Sequence, residues 1–180
     1  MSALAEELGH AADRVEATAR REARIYAHGA DRPIGGYAVL LSTYGSLTAL
    51  LGWVARRRKA SWQPTPIDVV ELGVATHKLS RLITKDTVTA IVRAPFTTFE
   101  EPSGDGEVHE EVRGTGLRHA AGELLTCPFC IAVWVATALA FGMLLVPRFT
   151  RVVLAVLCAV AGSDYLQLTY AIAQRAVKEG

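Results

Sequence analysis

The 180-residue sequence has no excess of charge of either sign, because 19 Lys and Arg balance 18 Asp and Glu to a formal net charge of +1. Nucleic-acid-binding proteins need clustered Lys and Arg to neutralise phosphates, so this balance argues against nucleic-acid binding. Catalytic signatures are also missing: there is no nucleophile elbow, no Gly-rich phosphate loop and no metalloprotease helix. Enzymatic activity therefore has no positive support.

Cysteine is scarce, with only Cys127, Cys130 and Cys158. An odd number with one close pair does not resemble the disulfide framework of a small secreted protein. The first 30 residues also lack the basic and apolar regions of a signal peptide. Arginine greatly outnumbers lysine, and alanine and valine abound, which suggests a high-GC bacterial coding sequence.

Apolar residues make up 51% of the chain, and their clustering is more informative than their total. Three long stretches are almost free of charge, at about residues 34–54, 126–146 and 152–173. Each can supply the roughly 20 apolar residues that a helix needs to cross the hydrocarbon core. They predict an all-α fold, an integral membrane helical bundle with three to four transmembrane helices and an N-terminal amphipathic helix.

The remaining segments are polar. Residues 1–32 predict a separate amphipathic helix, and residues 33–180 predict the membrane domain. Residues 67–84 predict a helix with charges along it, which either crosses the bilayer as a fourth span or lies in the interface. Residues 98–117 predict a solvated acidic loop. The spacing of Asp105 and Glu107 does not continue into a calcium-binding loop.

The orientation depends on Lys and Arg in the connecting segments. Two models fit their distribution: three spans with the N-terminus outside, or four spans with the N-terminus inside. Both place the acidic loop and the cysteine pair on the cytoplasmic side.

The pair Cys127 and Cys130 is the most distinctive chemical feature. Pro128 favours the first position of a helix, so Cys127 is predicted at its N-cap and Cys130 one turn further along the same face. Two thiols at this spacing suit ligation of zinc or iron, thiol–disulfide exchange, or plain capping. A metal site would need further ligands, and the candidates are His77, His109 and His119.

Asp164 is the one charge within the last predicted span, and an acid there normally faces a partner inside the bundle. Gln167 lies one turn away on the same helix, and Lys78 and Arg81 would be partners if residues 67–84 join the bundle. A packing pair and a proton or ion path are both consistent with this position. The other candidate intramembrane polar residues are Arg81, His77 and Glu123.

Two motifs resemble one bacterial family. Residues 73–96 contain the sequence Leu-Ser-Arg-Leu-Ile, followed by Asp86 and then Arg-Ala-Pro-Phe at 93–96. Residues 122–134 read Gly-Glu-Leu-Leu-Thr-Cys-Pro-Phe-Cys-Ile-Ala-Val-Trp. Together they resemble the uncharacterised membrane proteins grouped as domain of unknown function 1360. The resemblance covers roughly residues 69–173, implies an integral membrane protein, favours residues 67–83 as part of the bundle, and implies no activity.

The sequence thus predicts an integral membrane protein of unknown biochemical activity, acting as a non-enzymatic component of a membrane assembly. The predicted partners are the lipid bilayer and either further copies of the chain or other membrane proteins. Two alternatives remain. One is a membrane-embedded metal-binding or thiol-redox protein that uses Cys127 and Cys130, and the other is a small transporter subunit that uses Asp164.

Overall fold

The computed structural model describes residues 2–28, 32–104 and 106–179 and shows a mostly helical chain. The helices and strands follow in the order α1 Ser2–Ala27, α2 Ile34–Arg57, α3 Pro66–Thr84, α4 Ala90–Arg93, β1 Thr97–Gly104, β2 Glu107–Val112, α5 Gly116–Thr126, α6 Pro128–Leu145 and α7 Pro147–Glu179.

Three of these helices, α2, α6 and α7, are long and apolar enough to span a membrane. Few of their residues are covered by the rest of the described chain: 6% of the apolar window is buried in α2, 22% in α6 and 17% in α7. Apolar surface left open on this scale requires a cover of lipid or of other protein. The coarse prediction of a helical fold with three membrane-capable helices is therefore confirmed.

Helix α3 packs against α6 and α7. It carries several charged residues and is not among the three helices that could span a membrane by length and composition. Its start is well defined, because Thr65 and Asp68 form a reciprocal capping box and Pro66 occupies the first turn. Ala75 on α3 is fully buried in the apolar core. The rest of the buried core comes from α6 and α7, at the helical spacing of Ile131, Val135, Leu139 and Met143, and of Leu154 and Leu157.

The directions of α3 and α7 follow from three contacts. Arg151 Nη1 lies 3.6 Å from Asp68 Oδ1, Cys158 Sγ lies 3.5 Å from the Glu71 carbonyl oxygen, and Lys78 pairs with Asp164. Residue numbers rise together in these pairs, so the two helices run parallel. Val146 alone joins α6 to α7, and Gly142 on α6 lies against Thr150 on α7, so the chain folds back there and α6 runs antiparallel to both.

Helix α2 runs in the same direction as α6. Near its start, Tyr37 contacts Glu123 on α5, which directly precedes α6. Two helical turns further along α2, the Tyr44 hydroxyl lies 2.8 Å from Thr137 Oγ1, and the Tyr44 ring meets the Trp134 ring edge-on, with centroids 5.2 Å apart. We call the end at which α2 and α6 begin the hairpin end. The other end, which holds the α6–α7 connection, is the turn end.

The prediction of an all-α fold with an unstructured acidic loop at 98–117 is wrong in one respect. Strands β1 and β2 form a two-stranded antiparallel sheet within that segment, with register shifts between Phe99 and Glu101 and between Pro102 and Gly104. The sheet is also attached to the segment that follows α3, because the Val108 N–H donates a hydrogen bond to the Lys85 carbonyl oxygen at 2.9 Å. Asp105, considered above as a calcium ligand, lies outside the described residues.

The helix limits also differ from the predicted ones. Helix α7 begins at Pro147 and continues to Glu179, whereas the prediction was 152–173. Helix α1, Ser2–Ala27, lies within the predicted amphipathic segment 1–32, and the division of the chain into domains at residue 32 stays a prediction.

Candidate functional site

The hairpin end brings together both sequence motifs. Gly122, the first residue of the second motif, lies so close to the first motif that a Cβ atom there would be 3.1 Å from the Phe96 carbonyl oxygen and 2.5 Å from Val112 Cγ1. A larger residue would therefore require the Val112 side chain or the backbone at Phe96 to shift. Two arginines fix the same turn, since Arg113 donates to the Ala94 carbonyl oxygen at 2.6 Å and Arg118 donates to that of Pro95.

Arg93 organises this end and is completely buried. Its Nε donates to Glu110 Oε2 at 2.5 Å, and the Glu110 side chain is itself only 5% exposed. The Nη atoms donate to the carbonyl oxygens of Ile83 and Asp86 and to Thr89 Oγ1, at 2.7, 2.9 and 2.8 Å. The guanidinium therefore ties the end of α3, the α4 turn and strand β2 together.

Sequence reasoning did not single out Arg93. The Arg-Ala-Pro-Phe motif was the available signal, because a fork of five donors suits a turn that exposes several carbonyl oxygens. The paired acid, Glu110, could not be identified among the six acids of the predicted loop, since the choice depends on the register of the sheet.

The predicted helix start at the cysteine pair is found in the structure. Cys127 is the N-cap of α6 and Pro128 is its first residue. Cys127 and Cys130 form a disulfide with Cα atoms 5.2 Å apart, and the Cys130 N–H donates to Cys127 Sγ at 3.2 Å. The Cys130 residue is exposed, and Phe129 between the two cysteines is 87% exposed.

The histidines considered as metal ligands are dispersed. His109 lies on β2 with Nε2 3.2 Å from Glu100, and His119 lies on α5 with Nε2 3.7 Å from Glu123. His77 lies on α3, away from the other two histidines, and lines a cavity between α3 and α7. In the described part of the chain, no three His, Cys, Asp or Glu side chains are arranged to hold a metal ion.

Asp164 pairs with Lys78, whose Nζ lies 2.5 Å from Asp164 Oδ2. The other candidate partners are engaged elsewhere: Gln167 donates to Ser163 Oγ at 3.2 Å, and Arg81 donates two hydrogen bonds from Nη2 to the Glu107 carboxylate, at 2.5 and 2.6 Å. Lys78 is nearly buried at 16% exposure, whereas 44% of the Asp164 side chain is exposed.

These ion pairs line an open cavity of about 740 Å³ between α3, α7 and the turn of the sheet, which we call the charged cavity. Its lining contains one histidine and five acidic or basic side chains: His77, Lys78, Arg81, Asp86, Glu107 and Asp164. Four of the six form two ion pairs, Lys78 with Asp164 and Arg81 with Glu107. These pairs connect α3 to α7 and to β2, so most of the charges in the cavity are already neutralised by a partner.

Glu123 lies on α5, outside the three helices that are long and apolar enough to span a membrane. Its carboxylate accepts a hydrogen bond from the Tyr37 hydroxyl and lies 3.4 Å from Arg32 Nη1. The hydrogen bond with Tyr37, followed by the charges of Tyr37 and Glu123, raises the pKa of Arg32. Glu123 thus links the segment before α6 to the start of α2.

Comparison with known proteins decides the family. The chain belongs to the family described as Protein of unknown function (DUF1360), whose model matches residues 71–170. Both motifs lie within that match, so the resemblance inferred from them is confirmed. The Sporulation protein YjcA of Bacillus subtilis (strain 168) is 35% identical over 99 residues, which covers 53% of this chain and 83% of the relative. No solved structure matches the chain.

Proposed function

We propose that this protein is a multi-pass integral membrane protein and a non-enzymatic component of a membrane assembly. The observation that carries the proposal is the outer face of α2. This helix presents a row of small residues to its surroundings that the described part of the chain leaves uncovered.

The outer face of α2 lies opposite Tyr37 and Tyr44, which pack inward. It is formed by small exposed residues at helical spacing: Gly35, Ala38, Ser42, Gly45, Ser46 and Ala49. A Cβ atom added at Gly35 or Gly45 would meet nothing within 4 Å. Small residues let helix backbones approach closely in lipid, where packing rather than hydrophobic burial drives association. This face suits another membrane helix better than it suits lipid alone.

The helix directions support four crossings. Helices α2 and α6 both begin at the hairpin end, so the chain must return to that end between them. Helix α3 makes this return alongside α6 and α7. Its 19 residues extend about 28 Å, close to the roughly 30 Å thickness of the hydrocarbon core.

The basic residues then support a cytoplasmic hairpin end. That end carries the larger group in its connecting and flanking segments: Arg14, Arg20, Arg21, Arg24, Arg32, Lys85, Arg93, Arg113, Arg118, Arg175 and Lys178. The turn end carries Arg56, Arg57, Arg58, Lys59, Arg148 and Arg151. The cysteine pair and the sheet would thus face the cytoplasm.

The transporter alternative is weaker in this arrangement. Asp164 lies about 25 Å along α7 from Pro147, near the hairpin-end boundary of the hydrocarbon core rather than at its centre. Its pairing with Lys78 stabilises α7 against α3, which is a packing role.

The assembly is tested by Gly45→Leu in the full-length protein, with Thr43→Leu as the matched control. Both positions are exposed on α2, but Thr43 lies away from the outer face. Membranes extracted in mild detergent are compared by native electrophoresis and by protein stoichiometry after purification. We expect a complex that Gly45→Leu dissociates and Thr43→Leu preserves. A monomer in every sample, or equal behaviour of the two variants, would contradict the proposal.

A sporulation-linked role is a second candidate, supported by the name of the Bacillus subtilis relative and by an alignment over most of its length. The chain would replace that relative in a deletion strain, and heat-resistant spores would be counted. Restoration of the count by this chain, but not by a Gly122→Val variant with a disrupted motif contact, is the expected result. A count equal to that of the empty deletion strain argues against the shared role.

A further inference from the structure

The disulfide between Cys127 and Cys130 does not join distant parts of the fold. It closes one turn at the start of α6, and the backbone already closes that turn. The N–H groups of Cys130 and Ile131 both donate to the Cys127 carbonyl oxygen at 3.1 Å. Disulfides that stabilise a fold constrain long loops, so a structural staple is a poor explanation of this pair.

The two sulfur atoms have different surroundings. Cys127 Sγ accepts the hydrogen bond from the Cys130 N–H and lies at the N-terminus of α6, where the helix dipole favours negative charge. The Cys130 residue is more exposed, and the neighbouring Phe129 side chain extends into the surroundings. An incoming thiolate therefore reaches Cys130 more easily, while Cys127 is better able to carry the charge that leaves.

We propose that Cys127 and Cys130 form a reversible thiol–disulfide exchange site, whose co-substrate is a pair of thiols on another molecule at the membrane surface. A thiolate of the co-substrate attacks Cys130 Sγ, and the electron pair of the broken S–S bond goes to Cys127 Sγ. The second co-substrate thiol, as thiolate, then attacks its own sulfur in the mixed disulfide and releases Cys130 as a thiolate. The protein gains two electrons, and the co-substrate leaves as a disulfide.

This site goes beyond membrane assembly and does not depend on it. Two features make the pair fit exchange better than metal binding. The two cysteines are placed as a disulfide pair with Cα atoms 5.2 Å apart, and the described part of the chain provides no third ligand beside them. If the hairpin end faces the cytoplasm, the location also fits, because disulfides in that reducing compartment are typically transient and either catalytic or redox-sensing.

The first test uses the full-length protein in detergent with the substitution Cys158→Ser, so that only Cys127 and Cys130 can be labelled. Samples equilibrate in mixtures of reduced and oxidised glutathione, are quenched with acid, and are labelled with a maleimide polymer that shifts the gel band once per thiol. We expect one reversible transition in which two thiols appear together. A pair that stays oxidised in every mixture until the protein unfolds, or that stays reduced in every mixture, would overturn the proposal.

The second test compares the two sulfurs. Single-cysteine proteins, made with Cys158→Ser as well, retain either Cys127 (Cys130→Ser) or Cys130 (Cys127→Ser) and are alkylated with iodoacetamide across a range of pH. We expect the Cys127 rate to reach half its maximum at a lower pH, because the backbone N–H donor at position 130 is kept in the serine variant. Identical profiles would overturn the assigned roles. Stoichiometric zinc retained by the reduced pair, measured by elemental analysis, would replace exchange by metal binding.

Discussion

Replacing Arg93 by methionine keeps an unbranched chain in place of the arginine stem but removes a guanidinium that is completely buried. Glu110, 5% exposed, would lose its cation, and the carbonyl oxygens of Ile83 and Asp86 and the hydroxyl of Thr89 would lose their donor. Removing one partner of a buried ion pair costs about 3–5 kcal/mol, because the other charge is left uncompensated. We therefore expect Arg93→Met to lower the free energy of unfolding by about that amount.

The assay is thermal or denaturant unfolding of the purified protein in one detergent, beside Arg58→Met as a control for the loss of an exposed arginine at the turn end. Hydrogen exchange should locate the damage in β1, β2 and α4, while α6 keeps its protection. A double variant, Arg93→Met with Glu110→Leu, removes both charges and should recover part of the lost stability.

Either of two results would contradict the expected coupling between Arg93 and Glu110. One is a loss below about 1 kcal/mol for Arg93→Met, the range expected of an exposed pair. The other is a double variant whose loss equals the sum of the two single losses, since uncoupled residues add.

Three further predictions concern other contacts. Gly122→Ala should destabilise the protein by about 1–3 kcal/mol, because the added Cβ atom would lie 2.5 Å from a methyl group of Val112. Gly73→Ala is the control and should not destabilise the protein, because the space around Gly73 is open. Equal melting temperatures of the two variants would contradict the close packing at Gly122. Asp164→Asn should cost no more than about 1 kcal/mol in denaturant unfolding, since 44% of the side chain is exposed and solvent screens the pair; loss of folded protein would contradict this. Reducing the disulfide between Cys127 and Cys130 should cost at most about 2 kcal/mol, the chain-entropy value for so short a loop, and paired unfolding curves with and without reductant measure it.

The parts of this fold that lipid would dictate were predictable from the sequence. A stretch without charge must bury its backbone hydrogen bonds in a helix if it enters the bilayer, and this requirement identified α2, α6 and most of α7. Local chemistry was equally clear at the start of α6, because Pro128 fits only the first turn and makes Cys127 the cap.

The sheet was not predictable from local pattern. Strand β1 contains Pro102 and consecutive glutamates, which disfavour strands, and it has no clean alternation of apolar and polar residues. The partner strand β2 is positioned by tertiary contacts that the sequence does not display, namely Arg81 with Glu107 and Arg93 with Glu110.

The choice of partner for Asp164 was also beyond the sequence. Lys78 and Arg81 lie three residues apart on one face of α3, so both were geometrically available. The rotation of α3 against α7, set by the packing of the apolar core around Ala75, decides that the lysine reaches the acid and the arginine reaches the sheet.

The outer edge of β1 has a consequence for how this protein behaves when crowded in a membrane. In the described part of the chain, β1 pairs only with β2, so its other side offers free backbone groups that a strand from a neighbouring molecule could extend. Pro102 has no N–H group to donate, two register shifts interrupt the strand, and Glu100 and Glu101 would repel an identical strand. These features of β1 therefore disfavour edge-to-edge pairing between copies of the chain that are crowded in a membrane.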